Sequence, residues 1–252
     1  MKILITGMPR SGTTYLTYNI NTNKNIDIMS EPIHMKNFSY YKYAHLKKMK
    51  EHPFWLLTRE QVEDLENNIF TEDGNNFETF FNKLCEYQKK EARKYNIDNT
   101  GMKVVYEAMP SKYNLKNFLN TFDSCIIIKR EPIEIVYSYF KAYILNSFEI
   151  QKREFIRFSK FNTLSLSDEI FEKLSEKLLS SVNFIKQVQN HYDNLLFVNY
   201  GNIDWDSISK FINTNIKENI KFNKFKYDYD EVFDRDERLK IILKKISANY
   251  TV

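Results

Sequence analysis

The 252-residue chain is poor in glycine and proline, with five of each, against roughly 7% and 5% in average usage. That scarcity excludes collagen-like, linker-rich and low-complexity architectures. Cysteine occurs only twice, at Cys85 and Cys125, which excludes a disulfide scaffold. Both lie in apolar stretches and read as reduced, buried thiols, pointing to a reducing compartment. No stretch approaches the ~20 apolar residues of a membrane span, and an apparent strand begins at Lys2, where a signal segment would differ. An excess of one charge is also missing, since 37 basic and 33 acidic residues leave +4. A nucleic-acid binder shows a concentrated basic stripe instead. The expectation is a soluble, cytoplasmic chain with neither a nucleic-acid nor a membrane partner.

With 42% hydrophobic and 28% charged residues, the chain has ample material for a core. Lys2–Thr6 is a short apolar run ending at Gly7, the pattern of a buried parallel strand. Met102–Tyr106, Cys125–Lys129 and Leu195–Asn199 look alike, and Ile26–Met29 is a weaker fifth. Helical patterns separate them. Gly12–Ile20 follows the first strand, and Ser111 can cap a helix to about Phe122. Pro132 suits the first position of a helix with Val136, Tyr139, Phe140 and Tyr143 at helical period. Asp168–Asn190 carries Phe171, Leu174, Leu178, Val182, Ile185 and Val188 on one face. Alternating strands and helices predict an α/β fold, a three-layer α/β/α sandwich with a central parallel sheet of about five strands, like that of P-loop nucleotide kinases. Residues 34–99 hold no good strand. Thr58 and Gln61 fit a capping box, and Phe77, Phe80, Phe81 and Leu84 an amphipathic helix. This stretch reads as a helical insertion or lid on one domain spanning 1–252.

Gly7-Met8-Pro9-Arg10-Ser11-Gly12-Thr13-Thr14 lies between a strand and a helix. Its glycines, with four residues between them, have the spacing of a phosphate-cradling loop. Gly12 permits close backbone approach, the following amides sit at the positive end of a helix dipole, and Ser11, Thr13 and Thr14 add hydroxyls. A nucleoside-triphosphatase loop would carry Lys where Thr13 stands, and no strand end offers an obvious carboxylate for magnesium. The cation is Arg10, inside the loop. The pattern favours transfer of a group that needs no metal.

Pro9-Arg10-Ser11-Gly12-Thr13-Thr14-Tyr15-Leu16 resembles the 5′-phosphosulfate loop of sulfotransferases that use 3′-phosphoadenosine 5′-phosphosulfate (PAPS). A second element agrees. Cys125–Pro132 and the helix after it resemble that family's 3′-phosphate element: an apolar strand, Arg130, Pro132, and Ser138 eight residues after the arginine. Arg130 can form a charge-assisted fork to a phosphate; pairing with Glu131 or Glu134 is the alternative. Tyr106–Pro110 resembles a Glu-Lys-x-Pro segment of bacterial and tyrosylprotein members, with Ala108 in place of the Lys; Lys103 or Lys112 are possible substitutes. Phe197–Ile203 resembles the segment beside the adenine, matched at Tyr200. The C-terminal basic-glycine segment of the cytosolic branch is absent, and Lys221, Lys224 and Lys226 are conceivable replacements. The likeness runs from residue 2 to about 212 and is closer to the bacterial, carbohydrate and tyrosylprotein branches.

The resemblance implies PAPS as co-substrate, 3′,5′-ADP as product, no metal, and a small-molecule or glycan hydroxyl or amine as acceptor. It assigns cofactor binding to Arg10, Ser11, Gly12, Thr13, Thr14, Arg130, Ser138 and Tyr200, with Arg10 also catalytic. Glu31, at the end of the weak second strand and before Pro32, is the expected base; His34 is the alternative, in a segment shared with His45 and His52. Glu107, at another strand end, is a candidate for acceptor binding. Two further readings stay open: a P-loop small-molecule or nucleotide kinase, and a non-catalytic nucleotide-binding protein. Seven of the ten glycines and prolines (Gly7, Pro9, Gly12, Pro32, Pro110, Pro132, Gly201) fall in these segments.

Overall fold

The computed structural model describes residues 1–32, 57–67, 77–106, 114–147, 168–219, 233 and 236–250. Five strands, β1 (Lys2–Gly7), β2 (Ile26–Ser30), β3 (Asn99–Lys103), β4 (Ser124–Lys129) and β5 (Leu195–Asn199), form one sheet in the order β2-β3-β1-β4-β5. Every pairing is parallel, with Leu4 opposite Met102 on one side and Cys125 on the other. The helices are α1 (Thr13–Ile20), α2 (Arg59–Asn67), α3 (Phe77–Lys94), α4 (Leu115–Leu119), α5 (Pro132–Ser147), α6 (Asp168–His191), α7 (Trp205–Phe211) and α8 (Glu237–Asn249).

Alternation along the strands builds two cores, one on each face of the sheet. Ile3, Ile5, Ile126 and Ile128 pack with Leu16 and Ile20 of α1 and Ile208 of α7. Leu4, Cys125 and Ile127 face the opposite way, toward Phe80 and Leu84 of α3, Tyr139 and Phe140 of α5, Leu178 and Ile185 of α6, and Ile242 of α8. This is the expected three-layer α/β/α arrangement, and the six apolar positions read along α6 are all buried. Cys125 is buried and Cys85 half-buried, both as free thiols. Among the described residues no helix is long and apolar enough to cross a membrane.

Two elements differ in their bounds from the sequence reading. The third strand is Asn99–Lys103 and not Met102–Tyr106: it begins three residues early because polar Asn99, Thr100 and Gly101 pair between β2 and β1, and it ends three residues before Tyr106. Gly101 is required there: a Cβ would collide with the Ile3 carbonyl and reach the Ile28 side chain. The helix expected from Ser111 to Phe122 is only Leu115–Leu119, capped by the Asn114 side chain, which accepts from the Asn117 amide at 3.1 Å; Ser111 lies outside the described residues. Within 34–99, α2 and α3 supply the expected helices. Gln61 Nε2 of α2 donates to the buried Glu91 carboxylate of α3 at 2.9 Å.

Candidate functional site

All five strands point their carboxyl ends at one edge of the sheet. The chain leaves β1 toward β2 on one side, while β4 lies on the other, so the crevice opens beyond β1 and β4, where ligands bind in open α/β sheets. The loop from β1 to α1 fills that position. It turns sharply, with Arg10 at φ 67° and Gly12 at φ 96°, and the Ser11 amide donates back to the Met8 carbonyl at 3.0 Å. Both glycines have steric reasons. A Cβ at Gly7 would stand 2.5 Å from Ser11 Oγ and 2.8 Å from Ile128, and one at Gly12 would enter the Tyr200 ring. The Ser11 hydroxyl is fully buried without a hydrogen-bond partner. A hydroxyl held in that state costs free energy until an acceptor or donor meets it, and an anion oxygen in the loop suits it.

Arg130, at the carboxyl end of β4, ties the second element to this loop. Its Nη1 donates to the Arg10 carbonyl at 2.7 Å, and its guanidinium lies 4.8 Å from the centroid of the Tyr200 ring. Arg10 Nε in turn donates to Ser138 Oγ on α5 at 3.4 Å, a long bond. Arg10, Gly12, Arg130, Ser138 and Tyr200 are therefore one contiguous cluster. The alternative for Arg130 is also present, since its Nε donates to Glu134 at 2.7 Å. That i,i+4 pair occupies one edge of the guanidinium and orients the rest toward the loop. Pro132 begins α5 as expected, which sets Ser138 on the turn facing Arg10.

Glu31 follows β2 at φ 50°, its amide donating to the Lys103 carbonyl at 2.8 Å. Its carboxylate is paired with the Lys103 ammonium, and Lys103 Nζ also donates to Thr14 Oγ1 at 2.9 Å. The Lys103 side chain is 3% exposed and that of Glu31 is 21% exposed. Burial pushes the Lys103 ammonium below its ordinary value; Glu31 works against this, and Arg10 adds to it. Thr13 is buried at the start of α1, whereas Thr14 is exposed.

An aromatic wall, not foreseen from the sequence, lies beside the loop. Tyr15 meets Tyr200 and Trp205 edge-on, with centroids 6.2 and 6.3 Å apart, and its hydroxyl donates to Glu218. Burial, with the Glu218 carboxylate beside it, pushes the Tyr15 phenol well above its ordinary range. Position alone gave no hint of Glu218, some 200 residues away in sequence. Lys103 left a visible signal, as a charge inside the otherwise apolar run Met102–Tyr106. His34, His45, His52, Glu107, Lys112, Lys221, Lys224 and Lys226 lie outside the described residues. Among the described residues, no group of three or more His, Cys, Asp or Glu side chains is placed to hold a metal ion.

The chain is similar in structure to solved sulfotransferases. One is the sulfotransferase domain of the Synechococcus PCC 7002 olefin synthase, at 14% identity and a TM-score of 0.43, covering 98% of this chain and 94% of that one. Another is a sulfotransferase from Alicyclobacillus acidocaldarius, at 11% identity and a TM-score of 0.43, covering 96% and 95%. No family model and no curated protein matches the chain. At such values the likeness carries no weight for individual residues, and the site stands on its own geometry: two arginines and several hydroxyls around a tight loop, with a carboxylate–ammonium pair at its flank.

Proposed function

We propose that the chain is a PAPS-dependent sulfotransferase, moving a sulfuryl group from PAPS to a hydroxyl or amine of a small-molecule or glycan acceptor and releasing 3′,5′-ADP. The observation that carries this reading is the Arg130–Arg10–Ser138 link. It joins two elements more than a hundred residues apart in sequence, each of which resembles one phosphate-binding half of a PAPS site. The orphan Ser11 hydroxyl fits an anion in the loop.

Sulfuryl transfer needs charge stabilisation at the leaving phosphate, an oriented acceptor, and a proton acceptor. In this reading the acceptor oxygen or nitrogen gives its proton to Glu31 and forms the new bond to sulfur. The bond from sulfur to the bridging oxygen breaks, and its electron pair stays on the 5′-phosphate. Arg10 and the amides of the loop stabilise that developing charge. Arg10 stays protonated at any working pH, so it acts as an electrostatic clamp and not as a proton donor. Arg130 and Ser138 hold the 3′-phosphate, and the Tyr200, Tyr15 and Trp205 wall flanks the adenine. In this reading Arg10 supplies at the leaving phosphate the positive charge that a kinase takes from its loop lysine and magnesium, and no metal is assigned. Free Cys85 and Cys125 fit a reducing, cytoplasmic setting.

The test is transfer of label from radiolabelled PAPS to a panel of phenols, alcohols, amines and saccharides, with chelator present. The parent chain labels at least one class. Arg10→Ala lowers the rate by about 10²–10³-fold, as for loss of an oxyanion-stabilising donor, and Glu31→Gln by about 10²–10⁴-fold, as for loss of a general base. Phosphorylation of the same panel from ATP and Mg²⁺, with no transfer from PAPS, would reject the reading in favour of a kinase.

A further inference from the structure

Lys103 has a place in this cleft that sulfuryl transfer as described above does not use. It ends β3, the strand between β2 and β1, so its side chain emerges between the strand end carrying Glu31 and the loop that leads to Thr14. One ammonium reaches both: it is paired with Glu31 and donates to Thr14 Oγ1 at 2.9 Å. With only 3% of its own side chain exposed, the Lys103 ammonium relies on these two partners more than on water. Among the described residues, the charged groups that face it are Glu31 from the end of β2 and Arg10 from the loop, with opposite effects on its charge. A buried cation flanked by another cation requires a nearby anion. Glu31 is one such anion; a phosphate or sulfonate in the loop, hydrogen-bonded to Thr14, is another.

We propose that Lys103 is a positioning residue shared between Glu31 and the loop anion, holding the carboxylate until an anion bonded to Thr14 draws the ammonium away and leaves Glu31 able to accept a proton. This role presupposes the nucleotide cleft and the Glu31 base proposed above. It gives the order of events a physical cause. While Glu31 is paired with Lys103, the pair disfavours proton transfer to the carboxylate. Filling the loop with donor nucleotide gives the ammonium a second anion and frees the base only when there is a group to transfer.

The test is a double-mutant cycle read by calorimetric titration with 3′,5′-ADP, which needs no acceptor. If Glu31 and the phosphate compete for one ammonium, Glu31→Gln tightens 3′,5′-ADP binding by about fivefold in the parent chain. That gain falls to less than twofold in a Lys103→Met background. Lys103→Gln, which fills similar volume and can still hydrogen-bond both neighbours, serves as a second background should Lys103→Met not fold. If Lys103 merely neutralises Glu31, its removal exposes the phosphate to an unshielded carboxylate, and the gain from Glu31→Gln becomes equal or larger in those backgrounds; that result overturns the sharing. Failure of the parent chain to bind 3′,5′-ADP at all is a separate result. It overturns the nucleotide cleft, and the sharing with it.

Discussion

Arg10 and Glu31 hold left-handed backbone conformations that, outside glycine and asparagine, few residues adopt. The other non-glycine residues with positive φ among those described are Asn96 and Asn213, of a type that tolerates this region. Two candidate site residues are thus held in strained backbone, one in the loop after β1 and one directly after β2. Both stand in the motifs from which the sequence reading draws its candidate site residues. The sharing of Lys103 was not legible there, because it depends on three strand ends meeting in space. Asp27 of β2 shows a residue-scale effect away from the cleft. Its carboxyl is buried, accepts from Gln88 Nε2 at 2.9 Å, and is pushed from 3.8 up to about 7 by burial, against the opposing Gln88 bond. The folded state therefore holds this proton more tightly than the unfolded chain. The stabilisation is present in full below about pH 4 and is lost as pH rises through about 7. Asp27→Asn, neutral throughout, should gain stability relative to the parent between pH 5 and pH 8, by on the order of 1–4 kcal/mol. Thermal unfolding of both proteins at the two pH values checks this, and a constant difference would contradict it.

At the scale of elements, local signals were read well where they are covalently close. Thr58 and Gln61 form the expected reciprocal cap: the Gln61 amide donates to Thr58 Oγ1 at 3.3 Å, and the Thr58 amide to Gln61 Oε1 at 2.8 Å. Gln61 also reaches Glu91, so it joins α2 to α3 as well as starting α2. Thr58→Ala should cost about 1 kcal/mol, the usual loss of an N-cap. Gln61→Ala should cost more, about 1–3 kcal/mol, because it also takes a partner from buried Glu91. Chemical denaturation measures both, and equal losses would show that the Gln61–Glu91 contact adds nothing. The start of β3 carries no apolar signal for a physical reason. Apolar periodicity marks strands buried on both faces by large side chains, whereas Asn99 is held by side-chain bonds to the chain after α7 and Gly101 by close strand approach. Asn99 Nδ2 donates to the Ile212 carbonyl at 3.1 Å and Thr214 Oγ1 at 2.9 Å, and Gly101 lets β1 and β2 close in.

For the molecule as a whole, a parallel sheet with the order β2-β3-β1-β4-β5 brings five loops to one edge. Four of those strand ends supply the arginine loop, Glu31, its partner Lys103, and Arg130. Three-layer packing and the strand count were visible in the spacing of short apolar runs. Strand order was not, because it depends on which runs pair across the chain. It is that order which places β1 and β4 side by side, so that Arg130 can reach the Arg10 carbonyl. A cleft built from two arginines without a loop lysine should discriminate among nucleotides by phosphate position and not by magnesium. The most direct measurement is calorimetric titration of the parent chain with 3′,5′-ADP in chelator and with ATP in Mg²⁺, repeated for Arg130→Ala. The account predicts binding of 3′,5′-ADP without metal, a loss of ten-fold or more in Arg130→Ala (about 1.4 kcal/mol or more), and far weaker binding of ATP. Tighter binding of ATP with Mg²⁺ than of 3′,5′-ADP, or an affinity for 3′,5′-ADP unchanged by Arg130→Ala, would contradict it.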